Sequence, residues 1–373
     1  MRPEVAAAML PVFTEHFGNA SSIHWFGQQA KALMDGARHQ VARLINAEVP
    51  EIVFLSGGTE ADNLAIRGIT ESQRAKGRHI ITSKIEHHAV LHTCKDLEKQ
   101  GYDVTWLPVS GDGVVDAGAV MQAIRPDTIL ISIMHANNEI GTIQSIAEIG
   151  AIAEDADIYF HSDGVQSAGK IPVDVRKLKV DMYSISAHKI HGPKGVGALF
   201  VKKGTPLKPS MTGGGHERNR RPGTENVAGI VGFGEAARLA REGLASYMTR
   251  VAELRNRLEA GLKSSIAHIH VNAENAARLP NTSNIMVDYA EGEGLVIALD
   301  LKGIAVSTGS ACSSGLLEPS HVLAAIGKTP DETHGSLRLS LSSMTTEEDV
   351  NYVLQVLPNI VERLREMSPY YKR

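Results

Sequence analysis

The chain has 373 residues, 38 Lys and Arg against 42 Asp and Glu, and 43% hydrophobic residues. A formal net charge of −4 excludes the concentrated basic field of a nucleic-acid binder, and this apolar share excludes a disordered chain. At the usual ~100–200 residues per domain the length implies two domains, and two cysteines, Cys94 and Cys312, exclude a disulfide scaffold and point to a reducing compartment.

The first apolar run, Val5 to Leu10, follows Glu4 and is broken by Pro11. It lacks the ~18 or more apolar residues of a membrane span and the build of an export signal. It reads as a short helix with Pro3 in its first turn, in a cytoplasmic protein with no membrane association. From residue 28 to about 47, Ala30, Leu33, Met34, Ala37, Val41, Leu44 and Ile45 recur at helical spacing. Strand-like runs follow at Ile52–Leu55, His79–Thr82, Val104–Pro108, Ile129–Met134, Ile158–His161, Met182–Ile185 and Val196–Val201, with helical stretches at Glu60–Ala75, Ala89–Gln100 and Ile146–Asp155. This alternation predicts an α/β fold with a mostly parallel sheet covered on both faces, its site at the carboxyl ends of the strands.

From about Val227 to Ser265 the chain reads as one long helical region. Shorter elements follow at Asn284–Val287, Gly292–Leu301, Ala305–Ser307 and Leu337–Leu341. A last helix opens with Thr345 and Glu348, three apart as in a capping box. The expected organisation is a large domain over residues 12–245 and a smaller α+β domain over 246–373, with residues 1–11 packing on the latter.

Four segments fall just after predicted strands. Ser56-Gly57-Gly58-Thr59-Glu60 is either a plain strand–helix turn or a cradle whose free N–H groups bind phosphate. Glu86-His87-His88-Ala89 suggests metal first, but no partner at ligand spacing completes a set, and a capping role is the ordinary reading. In His161-Ser162-Asp163-Gly164 the aspartate is either a helix cap or a buried carboxylate facing a cation. Lys189, in Ser186-Ala187-His188-Lys189-Ile190-His191-Gly192-Pro193, follows a strand and precedes a rigid turn, a setting for an amine that forms a Schiff base. It lies one strand–helix–strand step after Asp163. A lysine, a carboxylate for a pyridine nitrogen and a phosphate cup are the groups that pyridoxal phosphate needs.

Taken together, SGGTEADN, IEHHAV, HANNEIG, HSDGVQSAGK, SISAHKIHGPKG, RPGTENV, STGSACSSG and SLRLSLS make the chain resemble a NifS/IscS-type cysteine desulfurase. These belong to the class V aminotransferase group of fold-type I pyridoxal-phosphate enzymes. The resemblance implies pyridoxal 5'-phosphate bound covalently to Lys189, which then serves as base at the substrate Cα. It implies Asp163 on the ring nitrogen, His87 stacked on the ring and carrying protons, and Gln166 at the phenolic oxygen. Gly58, Thr59, Ser186 and His188 would line the phosphate, joined by Thr224 from the second subunit of a homodimer. Asn138, at cofactor and substrate, and Arg338 would hold the substrate carboxylate.

Cys312 lies in Gly309-Ser310-Ala311-Cys312-Ser313-Ser314-Gly315, too polar and glycine-rich for a core, whereas Cys94, between Leu91 and Leu97 on a predicted helix, reads as packing. The resemblance makes Cys312 the nucleophile that takes sulfur from L-cysteine as a persulfide, leaving L-alanine. The sulfur would pass to an acceptor or iron–sulfur scaffold protein, with Cys312 at most a transient iron–sulfur contact and no permanent metal. Family members open with a DNAATT-like segment. This sequence starts at Met1-Arg2-Pro3-Glu4, so either the start is truncated or other residues fill that role, and its end at Tyr370-Tyr371-Lys372-Arg373 leans to the NifS-like side. The other readings are a selenocysteine lyase or aminotransferase on the same cofactor, and a non-catalytic accessory protein with this fold. His268 and His270 read as one face of a strand, and His216–Arg221 as a loop covering the partner's site.

Overall fold

The computed structural model describes residues 1–308, 320–367 and 371. They divide into two compact units. The first comprises Met1–Leu107, Ala117–His135 and Ser145–Leu244; the second comprises Pro108–Asp116, Ala136–Gln144 and the chain from Ala245 onward.

The first unit contains helices α1 (Pro3–Thr14), α2 (Trp25–Leu44), α3 (Gly58–Ser72), α4 (His88–Lys99), α5 (Ala117–Ala123), α6 (Ile146–Asp155) and α7 (Val227–Ser246). Its strands are β1 (Ile52–Leu55), β2 (His79–Ser83), β3 (Asp103–Leu107), β4 (Thr128–Ser132), β5 (Tyr159–Asp163), β6 (Met182–Ser186) and β7 (Gly197–Val201). The strands form one sheet in the order β1-β7-β6-β5-β4-β2-β3. Every pairing is parallel except the two made by β7, which runs antiparallel to β1 and β6. Strands β1, β2, β4, β6 and β7 are buried along their whole length, as helices on both faces require, and so they are legible as mainly apolar runs, with Ser132 and Ser184 among their buried polar residues. The core between α3, α4 and the sheet is made by Leu64, Ile66, Ile69, Ile80, Leu130 and Leu199, and it includes Cys94.

The sheet delivers the ends of β1, β2, β4, β5 and β6 to one edge, which is where the four segments singled out in the sequence lie. Two boundaries matter there. Helix α3 begins at Gly58, two residues before the expected Glu60, so the glycines are its N-cap and first residue. Helix α4 begins at His88, with His87 as its N-cap.

The second unit contains α8 (Ala252–Ser265), α9 (Gly292–Asp300), α10 (His321–Ala325), α11 (Pro330–His334) and α12 (Glu347–Met367). They pack with strands β8 (Ile269–Val271), β9 (Thr282–Val287) and β10 (Ser336–Ser340), an antiparallel sheet in the order β10-β9-β8. Its core gathers Leu258, Leu262, Ile285, Leu295, Leu299, Leu337 and Leu357.

Several expectations need correction. Helix α1 runs through Pro11 to Thr14, and it lies in the first unit, where the Arg2 N–H donates to the His191 carbonyl at 3.1 Å. The long helical region is interrupted by a π-helical turn at Tyr247–Val251, next to the boundary at Leu244. The capping box of α12 is formed by Thr346 and Asp349, whose side chains accept from each other's backbone N–H at 3.1 and 2.8 Å. Thr345 instead accepts from the Ser342 N–H. His268 has a left-handed backbone (φ 53) and precedes β8, so it shares no strand face with His270, which lies 3.2 Å from Asp288 Oδ2. No helix among the described residues is long and apolar enough to cross a membrane.

Candidate active site

At the end of β1 the chain turns through Ser56 and Gly57 into α3. No side chain caps this helix, so the N–H groups of its first turn have no intrahelical acceptor and its positive dipole end is exposed to a ligand. Glycine is required at Gly58, because a Cβ there would meet Val165 Cγ2 at 2.7 Å. Thr59 is exposed beside it. Beyond β6 a short 3-10 turn, Ala187–Ile190, carries His188 and Lys189. Ser186 is buried, and its hydroxyl lies 2.8 Å from His188 Nδ1.

Asp163 is the last residue of β5, paired in register with Ser184 of β6. Its Oδ1 accepts from the Val165 N–H at 2.9 Å. Burial pushes its carboxyl up to about 6, against the lowering effects of that hydrogen bond and of the Lys189 charge. Gly164 follows because any side chain there would overlap Tyr183, whose ring Cζ would stand 1.9 Å from a Cβ. Gln166 Oε1 accepts from Lys170 Nζ at 2.8 Å, which orients the amide and leaves its N–H groups as donors. His87 Nδ1 accepts from the Ala89 N–H at 3.1 Å, which places the proton of the neutral ring on Nε2. Burial and then the Lys189 charge lower the His87 pKa, so the ring is held neutral. The charge of Lys189, which is half-buried, thus acts on Asp163, His87 and His188 together.

Sequence reasoning missed a buried polar layer behind these groups. His161, fully buried, lies 2.9 Å from the hydroxyls of Ser132 and Ser184 and 3.5 Å from Asp62 Oδ1, and burial lowers its pKa to about 3. Glu86, next to His87, accepts from the Ser83 hydroxyl at 2.6 Å and the Met134 N–H at 3.0 Å, and burial pushes its carboxyl up to about 8. Asp62 is raised well above the carboxylate range by burial and by the Asp163 charge. The sequence signalled Glu86 and His161 only by their nearness to His87 and Asp163, and Asp62 only by its place in SGGTEADN. Among the described residues no group of three or more His, Cys, Asp or Glu side chains is arranged to hold a metal ion.

A second omission is the support of the loop before Thr224, which is itself exposed. Glu217, Arg218 and Asn219 are three successive non-glycine residues in the left-handed region (φ 44, 57 and 63). Each costs about 1–2 kcal/mol, and the conformation ordinarily occurs as single residues. It persists here because Glu217 is buried in a two-pronged ion pair with Arg38 of α2, at 2.7 Å on each prong, and also accepts from the Phe54 N–H at 2.9 Å.

In the second unit, Asn137 folds the turn of HANNEIG: its Oδ1 accepts from the N–H groups of Glu139 and Ile140 at 2.8 and 3.0 Å. The turn presents Asn138, whose buried Oδ1 has no protein partner and whose carbonyl accepts from Arg338 Nη1 at 3.0 Å. Arg338, on β10, exchanges backbone hydrogen bonds with Ser307. Ser320 donates to Glu139 Oε2 at 2.5 Å and caps α10. Cys312 lies outside the described residues.

The profile of the aminotransferase class-V family matches residues 1–353, and the chain belongs to that family, whose members depend on pyridoxal phosphate. Within it, the chain is 52% identical to a protein named Cysteine desulfurase IscS from Dictyoglomus turgidum, over 99% of this chain and 94% of that one. It is 54% identical to one of the same name from Methanosarcina thermophila, over 99% and 91%. A solved structure titled NifS-like protein superposes with a TM-score of 0.92 at 38% identity, covering 98% of this chain and 97% of that one. The chain therefore stands among the cysteine desulfurases of the class-V family.

Proposed function

We propose that this protein takes sulfur from L-cysteine and releases L-alanine, using pyridoxal 5'-phosphate in the first unit and Cys312 as the first sulfur acceptor. One observation carries the reading. Lys189 stands just past β6, with its charge acting on the buried Asp163 at the end of the neighbouring strand and on His87. The residues of the first unit fit the cofactor: the helix start at Gly58 is uncapped and cannot accept a Cβ.

Gly58, Thr59, Ser186 and His188 would hold the phosphate, with Thr224 of a second subunit, and Lys189 would hold the group through its amine. Bound there, the group supplies an electron sink that weakens bonds at the substrate Cα and Cβ. Asp163, as carboxylate, would keep a proton on the ring nitrogen. Lys189 moves the Cα proton, and His87, neutral with its proton on Nε2, exchanges protons on the ring side. Gln166, its amide oriented by Lys170, would offer an N–H donor to the group's phenolic oxygen. Arg338 and Asn138 orient the substrate carboxylate. The Cys312 thiolate then attacks the substrate sulfur: an S–S bond forms, the C–S bond breaks, and Cys312 carries a persulfide while the carbon skeleton leaves as alanine after protonation.

The reading includes a homodimer, a protein sulfur acceptor serving iron–sulfur or thio-cofactor assembly, and a reducing, cytoplasmic setting in keeping with a working thiol. An aminotransferase on the same scaffold would not need Cys312. The discriminating experiment is Cys312→Ala: loss of persulfide and of alanine release supports the desulfurase, and unchanged turnover of L-cysteine refutes it.

A further inference from the structure

We propose that the buried Arg38–Glu217 pair is a latch that holds the loop of residues 216–224 against the phosphate cup, with Glu217 and Arg38 as positioning residues for cofactor binding. The cofactor arm of this inference rests on the reading given above. Arg38 has two tasks: Nη1 donates to the Ile52 carbonyl at 2.8 Å and both terminal nitrogens grip Glu217. Its guanidinium also lies 4.5 Å from the centre of the Phe54 ring. Glu217, through the Phe54 N–H, is fastened to the backbone of β1 itself. The latch therefore ties the loop to the strand that leads directly into Ser56-Gly57-Gly58.

The other end of the loop reaches the same place. Arg221 Nε donates to Glu60 Oε1 at 3.0 Å, while Glu60 Oε2 accepts from the Ser56 N–H at 2.6 Å. Glu60 is thus shared between the loop and the turn that opens α3. Arg218 adds a third tie, donating to the Pro50 carbonyl at 2.7 Å. Two of these anchors, Glu217 and Arg218, are themselves left-handed residues, and the third left-handed residue, Asn219, lies between Arg218 and Arg221. A strained backbone of this kind survives only where its surroundings over-determine it, and here the surroundings are a desolvated two-pronged ion pair. Removing the Glu217 charge frees the strain, and the loop relaxes away from Glu60. The strained stretch lies a few residues before Arg221, which holds Glu60 beside this subunit's cup, and Thr224, proposed to meet the phosphate of a second subunit, so its relaxation displaces both.

The test uses the full-length protein stripped of cofactor. Two quantities are measured: the affinity for pyridoxal 5'-phosphate by absorbance titration, and the rate of tryptic cleavage after Arg218 and Arg220. Glu217→Gln is expected to speed cleavage and weaken cofactor binding by roughly tenfold or more, the scale on which residues that orient a ligand's contacts act. Asn219→Gly, which removes the left-handed penalty at φ 63, should restore most of both losses when added to Glu217→Gln. Asn219→Val, at an exposed position where folding is not at stake, should reproduce both defects in an otherwise stable protein. Faster cleavage with unchanged cofactor affinity would overturn the proposal, reducing the pair to a structural tie. So would wild-type behaviour of both Glu217→Gln and Asn219→Val, or no rescue by Asn219→Gly. A wild-type protein that binds no pyridoxal phosphate defeats the functional reading instead, and the cleavage rates still decide whether the latch exists.

Discussion

Arg338 donates one guanidinium nitrogen to the carbonyl oxygen of Asn138 at 3.0 Å, across 200 residues of chain. That bond uses Nη1 and orients the planar fork, leaving its other nitrogens to grip a carboxylate. Lysine keeps the charge and loses the fork. Arg338→Lys is expected to raise KM for L-cysteine roughly 10- to 100-fold, the worth of a hydrogen bond to a charged group, while the absorbance of the bound cofactor stays unchanged. Steady-state kinetics beside a cofactor spectrum check this; an unchanged KM removes Arg338 from the substrate site.

Glu86 gives a pH dependence with a definite sign. Its folded pKa, pushed up to about 8 by burial, lies above its ordinary value of 4.5. Stability from this group is therefore fully present below about pH 4.5 and is lost as pH rises through about 8. Glu86→Gln keeps an acceptor for Ser83 and Met134 and removes the titration. Urea unfolding between pH 5 and 9 should show the variant free of part of the wild-type decline, on the order of a few kcal/mol. Parallel pH profiles for the two proteins would contradict the assignment.

Gly164 is fixed by Tyr183, which is fully buried and whose hydroxyl lies 2.7 Å from His135 Nδ1. The ring has nowhere to move. Gly164→Ala should destabilise the protein by about 3 kcal/mol and, by displacing the neighbouring Asp163, weaken cofactor binding. Denaturation curves and a cofactor titration measure the two effects; a neutral Gly164→Ala would mean that the β5 end is far more yielding than its packing implies.

The two cysteines should separate chemically. Burial, aided by the Glu86 and Glu98 charges, pushes the Cys94 thiol up to about 12, so it stays protonated and inert at neutral pH. Iodoacetamide at pH 8 should label Cys94 only after unfolding, as read by peptide mass. Cys94→Ala should retain desulfurase activity at a cost of about 1 kcal/mol in stability. Rapid native labelling of Cys94 would refute its place in the core.

Much of this was legible in the sequence for a physical reason. Strands covered on both faces are mainly apolar, so Ile52–Leu55 and Met182–Ile185 could be read directly, and the segments after them fell at the strand ends. Motifs anchored to those ends, around His87, Asp163 and Lys189, came with them. Local pattern failed where two registers satisfy the same rule, as with Thr345/Glu348 against the observed Thr346/Asp349. It also failed at α3, where glycines inside a first helical turn read as loop. It had no access to Arg38 and Glu217, which meet across 179 residues. Glu86 and Asp62 escaped for the opposite reason: charged side chains are ordinarily solvated, and only the sheet topology shows that these two are enclosed.

The central claim is that the lysine and the thiol serve one reaction on L-cysteine. The direct measurement is the stoichiometry of products from purified protein and L-cysteine with a thiol reductant present, alanine and sulfide quantified together. Alanine and sulfide should appear in equal amounts, and both should vanish in Lys189→Ala along with the cofactor absorbance. A coloured wild-type protein that releases no alanine, or that yields a keto acid in its place, would contradict the account.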